Sequence, residues 1–294
     1  MTTKGSRSGQ ERHSARGSDI QHRFILGLAR GAAGALIFGL PMLMTMELWF
    51  LGFYMERYRL LLLLLANIPL LVVLSHRIGF EKTSTWVQAF RDAITAYALA
   101  IAMSAVVLTL LGIVETGMPP SDLLGMVAVQ SVPASIGALL ARSQLGGQHD
   151  DNAEEGDEQE KGVVTSYGRE LFLMAIGALF LSLNVAPTEE IILISYKMTP
   201  WHAIAAVIVS ILIMHGFVYA VAFRGAHQLS EGTPPWHALV RYTLPGYVVA
   251  LGISLYVLWT FGRLDDAAST PILMAIIVLS FPGAIGAAAA RLIL

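Results

Sequence analysis

The sequence of 294 residues has no cysteine, and charged residues make up only 14% of it. Without cysteine, a disulfide framework, a thiolate metal site and a cysteine nucleophile are excluded. Hydrophobic residues make up 55% of the chain, and its mean hydropathy is +0.63. The sequence also lacks the alternating ten-residue segments of an outer-membrane barrel. These features predict a polytopic α-helical membrane protein.

The sequence also lacks the common catalytic motifs. We find no nucleophile elbow, no P-loop, no HExxH and no glycine-rich dinucleotide fingerprint. We therefore expect no enzyme, no catalytic residue and no resident organic cofactor. The basic residues near the N-terminus alternate with Ser and Gly and lack interleaved aromatics, which favours contact with anionic lipid over contact with nucleic acid.

What the sequence does contain is long apolar runs, each about 20 residues, the length that crosses a bilayer. Before the first run, residues 1–22 are predicted to form a disordered cytoplasmic tail, and residues 146–165 an acidic disordered linker. The linker separates a first four-helix repeat, 23–145, from a second, 166–294. The eight predicted spans are 27–54, 60–78, 91–114, 122–141, 170–196, 201–223, 238–262 and 271–291.

Three blocks of the first half return in the same order in the second half, which indicates an internal duplication. Within the first block, Gly34, Leu40, Thr45 and Glu47 have identical counterparts, whereas the second span resembles the sixth only in hydrophobicity. The matched blocks are Gly34–Glu47 with Gly177–Glu190, Arg91–Gly112 with Arg241–Gly262, and Ser131–Arg142 with Ser280–Arg291.

Lys and Arg are distributed unequally between the two predicted sides of the membrane. Of the 19 Lys and Arg residues, 15 fall on the side that holds the termini and the linker. The four on the other side are Arg57, Arg59, Lys197 and Arg263. The positive-inside rule therefore predicts cytoplasmic termini in a bacterial inner membrane. Because each half has an even number of spans, the two repeats are predicted to lie parallel, related by a pseudo-twofold axis along the membrane normal.

Glu47 and Glu190 occupy matching positions inside apolar spans, where ionisable residues are rare. We expect each to lie roughly 10–14 Å from the external end of its helix at 1.5 Å per residue. A charge at such depth costs at least about 2.5–3.5 kcal/mol and commonly marks an ion or proton pathway. Glu189 adds a carboxylate that the first half lacks, since Met46 stands at the matching position.

Neighbouring oxygen atoms extend this candidate ion site. Pro41 and Pro187 each remove a backbone donor and free a carbonyl group near the carboxylates. Such oxygens suit hard cations, so Ca²⁺, Mg²⁺, Mn²⁺ or Na⁺ could bind between Glu47 and Glu190, and a proton could compete. Alternatively, the carboxyls are protonated and hold helices together, or lie in an external vestibule without a specific role. The neutral candidate ligands are Thr45, Thr188 and Asn184.

Further polar residues are candidates for lining a pathway. Tyr97 and Ser104 recur as Tyr247 and Ser254, and they either line a cavity or hold neighbouring helices together. His215 lies mid-span and either relays protons or is a satisfied packing residue. The matched Pro133 and Pro282 lie among small residues, which favours tolerated kinks in a packing face over broken helices.

The segments PMLMTMELW and NVAPTEEI, in a chain of eight spans, resemble the bacterial families known only as multi-pass integral membrane proteins of unknown function. The resemblance implies a multi-pass membrane protein and carries no substrate or catalytic residue. From the residues themselves we expect a transporter or channel for a small cation, with proton coupling as an option. The alternative is a non-transporting scaffold or accessory subunit, and a homo-oligomer is left open.

Overall fold

The computed structural model describes residues 25–78, 85–145, 167–222, 236 and 239–293, and the regular secondary structure within these is helical. The predicted N-terminal tail, 1–22, and the predicted acidic linker, 146–165, lie outside the described residues. The first half contains α1 (Ile25–Leu43), α2 (Met46–Tyr54), α3 (Arg57–Ile78), α4 (Trp86–Leu110) and α5 (Pro120–Leu145). The second contains α6 (Tyr167–Val185), α7 (Glu189–Lys197), α8 (Pro200–Ala222), α9 (Leu244–Thr260) and α10 (Ser269–Ile293), with a π-helix at Leu239–Thr243 leading into α9.

Eight of the described helices are long and apolar enough to cross a membrane, as the sequence predicted. They are α1, α3, α4, α5, α6, α8, α9 with its preceding π-helix, and α10. Their outward faces carry large apolar side chains, such as Leu61, Leu110 and Trp201, which a bilayer would cover. The class of protein is therefore confirmed.

One helix is central to each half. In the first half α5 packs against α2, α3 and α4, and in the second half α10 packs against α6, α7, α8 and α9. Both central helices continue through a proline, Pro133 in α5 and Pro282 in α10. The structure therefore agrees with prolines tolerated in a packing face, rather than with broken helices at these positions.

Glycine allows the close packing around both central helices. A Cβ on Gly137 of α5 would collide with Phe38 and lie 2.9 Å from the carbonyl oxygen of Gly34 in α1. A Cβ on Gly286 of α10 would collide with the carbonyl of Gly177 in α6. These two glycine pairs occupy the matched positions of the sequence blocks, so equivalent residues make equivalent helix contacts in the two halves.

The first and fifth predicted spans, 27–54 and 170–196, are not continuous helices. The first is divided into α1 and α2 at Met44 and Thr45, and the fifth into α6 and α7 at residues 186–188. Pro41 lies inside α1, two residues before its last residue, and not at the break itself. We call these interruptions the first break and the second break.

Candidate functional site

The first break lies at the middle of the membrane-spanning part of α5. Helices α1 and α2 run antiparallel to α5: Gly34 is beside Gly137, Gly39 beside Ala134, and Gly52 beside Met126. The Met42 carbonyl, in the last turn of α1, contacts Gln130, which is halfway along the apolar window Pro120–Leu140. At 1.5 Å per residue, the break is thus about 15 Å from either end of that window.

The groups that hold the first break are neutral. Gln130 Nε2 donates a hydrogen bond of 3.0 Å to the Met42 carbonyl oxygen, and Thr45 Oγ1 donates one of 3.1 Å to the same atom. Gln130 is completely buried, and among the described residues no donor reaches its Oε1 atom. A buried amide oxygen without a partner is unusual in a folded protein and points to a ligand or water at that position.

The second break is held by a positive charge. Arg263, in the loop between α9 and α10, donates from Nη2 to the Pro187 carbonyl and pairs through Nη1 with Glu189 Oε1 at 2.7 Å. The Arg263 side chain is only 14% exposed, whereas that of Glu189 is 81% exposed. Glu189 therefore has a structural partner, which the sequence did not predict because the two residues are distant in the chain.

The predicted carboxylates begin the short helices that follow the breaks. Glu47 lies in the first turn of α2 and is partly buried, and Glu190 lies in the first turn of α7 and is exposed. Each carboxylate therefore begins a short helix, whereas the sequence predicted it inside a continuous span. Acidic side chains in the first turn stabilise a helix, because its N-terminus carries a partial positive charge.

The approach of Glu47 to Glu190 stays a prediction. Within the described ranges neither carboxylate makes a hydrogen bond or ion pair, and α2 packs mainly on α5 while α7 packs on α10. In the same part of the chain, no three His, Asp or Glu side chains form a group able to hold a metal ion. Any cation here would therefore depend on amide, hydroxyl or carbonyl oxygens as well.

The remaining predicted ligands make local hydrogen bonds. Thr188 Oγ1 donates to the Val185 carbonyl at 2.8 Å, as Thr45 does at the first break. Asn184 Nδ2 donates to the Phe180 carbonyl, one turn earlier in α6, at 3.0 Å. In these bonds Thr45, Thr188 and Asn184 act as donors, so their hydroxyl and amide oxygens can still accept a hydrogen bond or contact a cation.

Tyr97 and Tyr247 hold helices together in matching ways. The hydroxyl of Tyr247 shares a 3.1 Å hydrogen bond with Ser280 of α10 and lies near Ser210 of α8. The hydroxyl of Tyr97 lies near Ser131 of α5 and Asn67 of α3. Each tyrosine hydroxyl thus faces two other helices of its own half. This contact favours the interpretation of helix association over a cavity lining.

The other pathway candidates are also buried polar groups. Ser254 donates to the Ala250 carbonyl at 2.8 Å, whereas no described residue bonds to Ser104 Oγ, although both serines are fully buried. His215 Nδ1 is 3.0 Å from Thr243 Oγ1 in the π-helix. The histidine therefore has a partner on a neighbouring element, as expected of a satisfied packing residue.

Arg59, at the beginning of α3, connects the two halves at the predicted external end. Its guanidinium donates to the Trp259 carbonyl at 2.7 Å and to Asp265 at 2.9 Å, both in the second half. It also pairs with Glu56 at 2.9 Å, and its side chain is only 9% exposed. The sequence placed Arg59 in an external loop and gave no sign of this buried contact.

The eight apolar helices, their glycine packing and the buried polar contacts define a multi-pass α-helical membrane protein. Residues 27–294 match the family described as "Putative integral membrane protein (DUF2391)", and the chain belongs to that family. The resemblance stated from the two acidic segments is thereby confirmed. Neither the curated proteins nor the solved structures include a match to this chain.

Proposed function

We propose that the protein moves a small cation across the bacterial inner membrane, as a transporter or channel, through Glu47 and Glu190. The observation that carries this proposal is the interruption of a membrane-spanning helix in each half, followed by a short helix with a carboxylate in its first turn. Irregular backbone at membrane depth is tolerated where it is buried in protein or lines a cavity, and broken helices commonly form ion sites in transporters.

The backbone at the breaks also favours cation binding. Helix α1 ends at the first break and α6 at the second, and the carbonyl groups of a helix C-terminus carry a partial negative charge that attracts cations. In transporters built from broken helices, such C-terminal ends and unwound carbonyl groups coordinate the ion. A proton competes with the cation for the same carboxylate oxygens, which provides a route to proton coupling.

The proposed architecture is a pair of parallel four-helix repeats with both termini in the cytoplasm. It is supported by the matched glycine contacts and by the matched tyrosine contacts described above. Asn67 and Ser210 add a correspondence between the second and sixth spans, because both lie near the hydroxyls of the matched tyrosines. The unequal distribution of Lys and Arg supports the orientation.

Cation flux into proteoliposomes tests the proposal. The double variant Glu47→Gln with Glu190→Gln keeps the side-chain shape and removes both charges, so we expect flux to fall to the level of empty liposomes. The matched control is Glu115→Gln, an exposed loop carboxylate that should leave flux unchanged. Normal flux in the double variant would reject the carboxylate site.

A scaffold or accessory subunit is the second candidate, and one observation favours it. An open apolar groove of about 320 Å³ lies between α8 and α10, lined by residues including Ala203, Val207 and Ile277. As a scaffold, the protein would show no flux and would tolerate the Gln variants. Val207→Trp, which fills the groove, would release a co-purifying membrane partner without unfolding the chain.

A further inference from the structure

The two breaks differ in the charge that stabilises them. Arg263 brings a permanent positive charge to the second break, where it bonds to the Pro187 carbonyl and to Glu189. Continuing the register of the matched block that ends at Gly112 and Gly262, the residue corresponding to Arg263 is Ile113. The first break therefore has no matching arginine.

The first break offers an oxygen atom instead. Gln130 is fixed by the bond from its Nε2 to the Met42 carbonyl, and Oε1 belongs to the same amide, so this oxygen also lies beside the break. It is buried, and no described residue donates to it. The matching position in α10 is Leu279, so the amide is specific to the first half.

Two more acceptors belong to the same break. Thr45, at the start of α2, makes no side-chain cap, and its hydroxyl donates to Met42 while its lone pairs stay available. Glu47 follows in the first turn of α2. A single carboxylate with neutral amide and hydroxyl oxygens suits a hard monovalent cation better than a divalent one, which usually recruits several carboxylates.

We infer that the first break binds a sodium-like monovalent cation through Gln130 Oε1 and Glu47, and that Arg263 supplies the corresponding positive charge at the second break. This inference rests on the proposed function for the idea that the cation is transported. It adds that the two carboxylates are unequal: Glu47 binds the ion, and Glu190 is dispensable for binding.

Thermal unfolding of the purified full-length protein in detergent tests binding without requiring transport. Replacing choline chloride with sodium chloride at constant ionic strength should raise the Tm of the wild type by about 3 °C or more, since a ligand that binds only the folded state stabilises it. Glu47→Gln and Gln130→Leu should each require at least about tenfold more sodium for the same shift.

Glu115→Gln is the matched control and should keep the wild-type response. Glu190→Gln tests the inequality and should keep the sodium-dependent rise in Tm, because Glu190 lies at the second break, even though its flux is expected to fall. If Gln130→Leu fails to fold, Glu47→Gln still decides the question, because its side chain is partly exposed. The inference is overturned if the wild type shows no sodium-specific rise, which means that water alone occupies the break. It is also overturned if Glu190→Gln loses the response as fully as Glu47→Gln.

Sodium flux in proteoliposomes separates this inference from the proposed function. Sodium-specific stabilisation without flux would support the site at the first break and reject transport. Flux that requires Glu190 and tolerates Glu47→Gln would support transport and overturn the unequal roles. Stabilisation that requires Glu47 and Gln130 but tolerates Glu190→Gln, together with flux that requires both Glu47 and Glu190, would support the two proposals together.

Discussion

The two halves of the molecule use matched residues to pack their helices and different residues to hold their helix breaks. Gly137 and Gly286 each bring a central helix into backbone contact with the helix that precedes a break. At the breaks themselves, the first half uses the amide of Gln130 and the second uses the guanidinium of Arg263. Helices can therefore pack alike in the two halves while the charge at their breaks differs. Close helix packing depends on the small size of glycine, whereas the charge at a break depends on which polar side chain reaches it.

The largest effect should come from filling the matched glycine positions. Gly137→Leu and Gly286→Leu push a side chain into neighbouring backbone that cannot move aside, so each should cost more than about 3 kcal/mol and prevent recovery of folded protein. Gel filtration in detergent measures the outcome. Gly252→Ala is the control, because a Cβ there meets nothing within 4 Å. If leucine is tolerated at only one of the two positions, Gly137 and Gly286 do not make equivalent helix contacts.

Removing the buried contact between the halves should have the next largest effect. Arg59→Ala deprives Asp265 and the Trp259 carbonyl of their donor, and we expect a loss of about 2–3 kcal/mol in the free energy of unfolding by SDS in mixed micelles. Its control, Arg57→Ala, removes a half-exposed side chain whose partners, the Gly52 carbonyl at 3.0 Å and Asp122 at 3.8 Å, lie in its own half, and should cost no more than about 1 kcal/mol. Equal losses would show that Arg59 is not a specific connection.

The tyrosine contacts should be equivalent in the two halves. Tyr97→Phe and Tyr247→Phe each remove one hydroxyl from a contact among three helices, so each should destabilise the protein by about 1 kcal/mol. The same SDS titration measures both. A tyrosine that lines an aqueous path would instead give a smaller loss of stability and a larger change in flux. If only one of the two variants behaves in this way, the two tyrosines have different roles.

The smallest effect should come from the ion pair at the second break. Glu189→Gln removes the charge of a side chain that is largely exposed, so the loss should be below about 1 kcal/mol and should shrink further at high salt. The wild type at each salt concentration is the reference. A loss that does not depend on salt would indicate that the pair is shielded from solvent, making the second break more rigid than the first.

The sequence predicted the two matched carboxylates of the candidate site, but not the helix breaks that precede them. The matched positions of Glu47 and Glu190 were visible as carboxylates in apolar runs, but their location in the first turns of α2 and α7 was not. A helix break at mid-membrane depends on which neighbours accept or donate to the freed backbone groups. For the first break that neighbour is Gln130, whose only sequence signal was a polar amide at the centre of an apolar span.

The sequence by itself determined the class of protein and the number of apolar spans, because the hydrophobic length needed to cross a bilayer is a local property of the chain. It also revealed the matched blocks, which are a comparison of letters and need no coordinates. Only the tertiary structure decided where the first and fifth spans are interrupted and which side chains hold each break. Those outcomes depend on residues far apart in the chain, such as Arg263 with Pro187 and Gln130 with Met42, whose contacts exist only after the helices have packed.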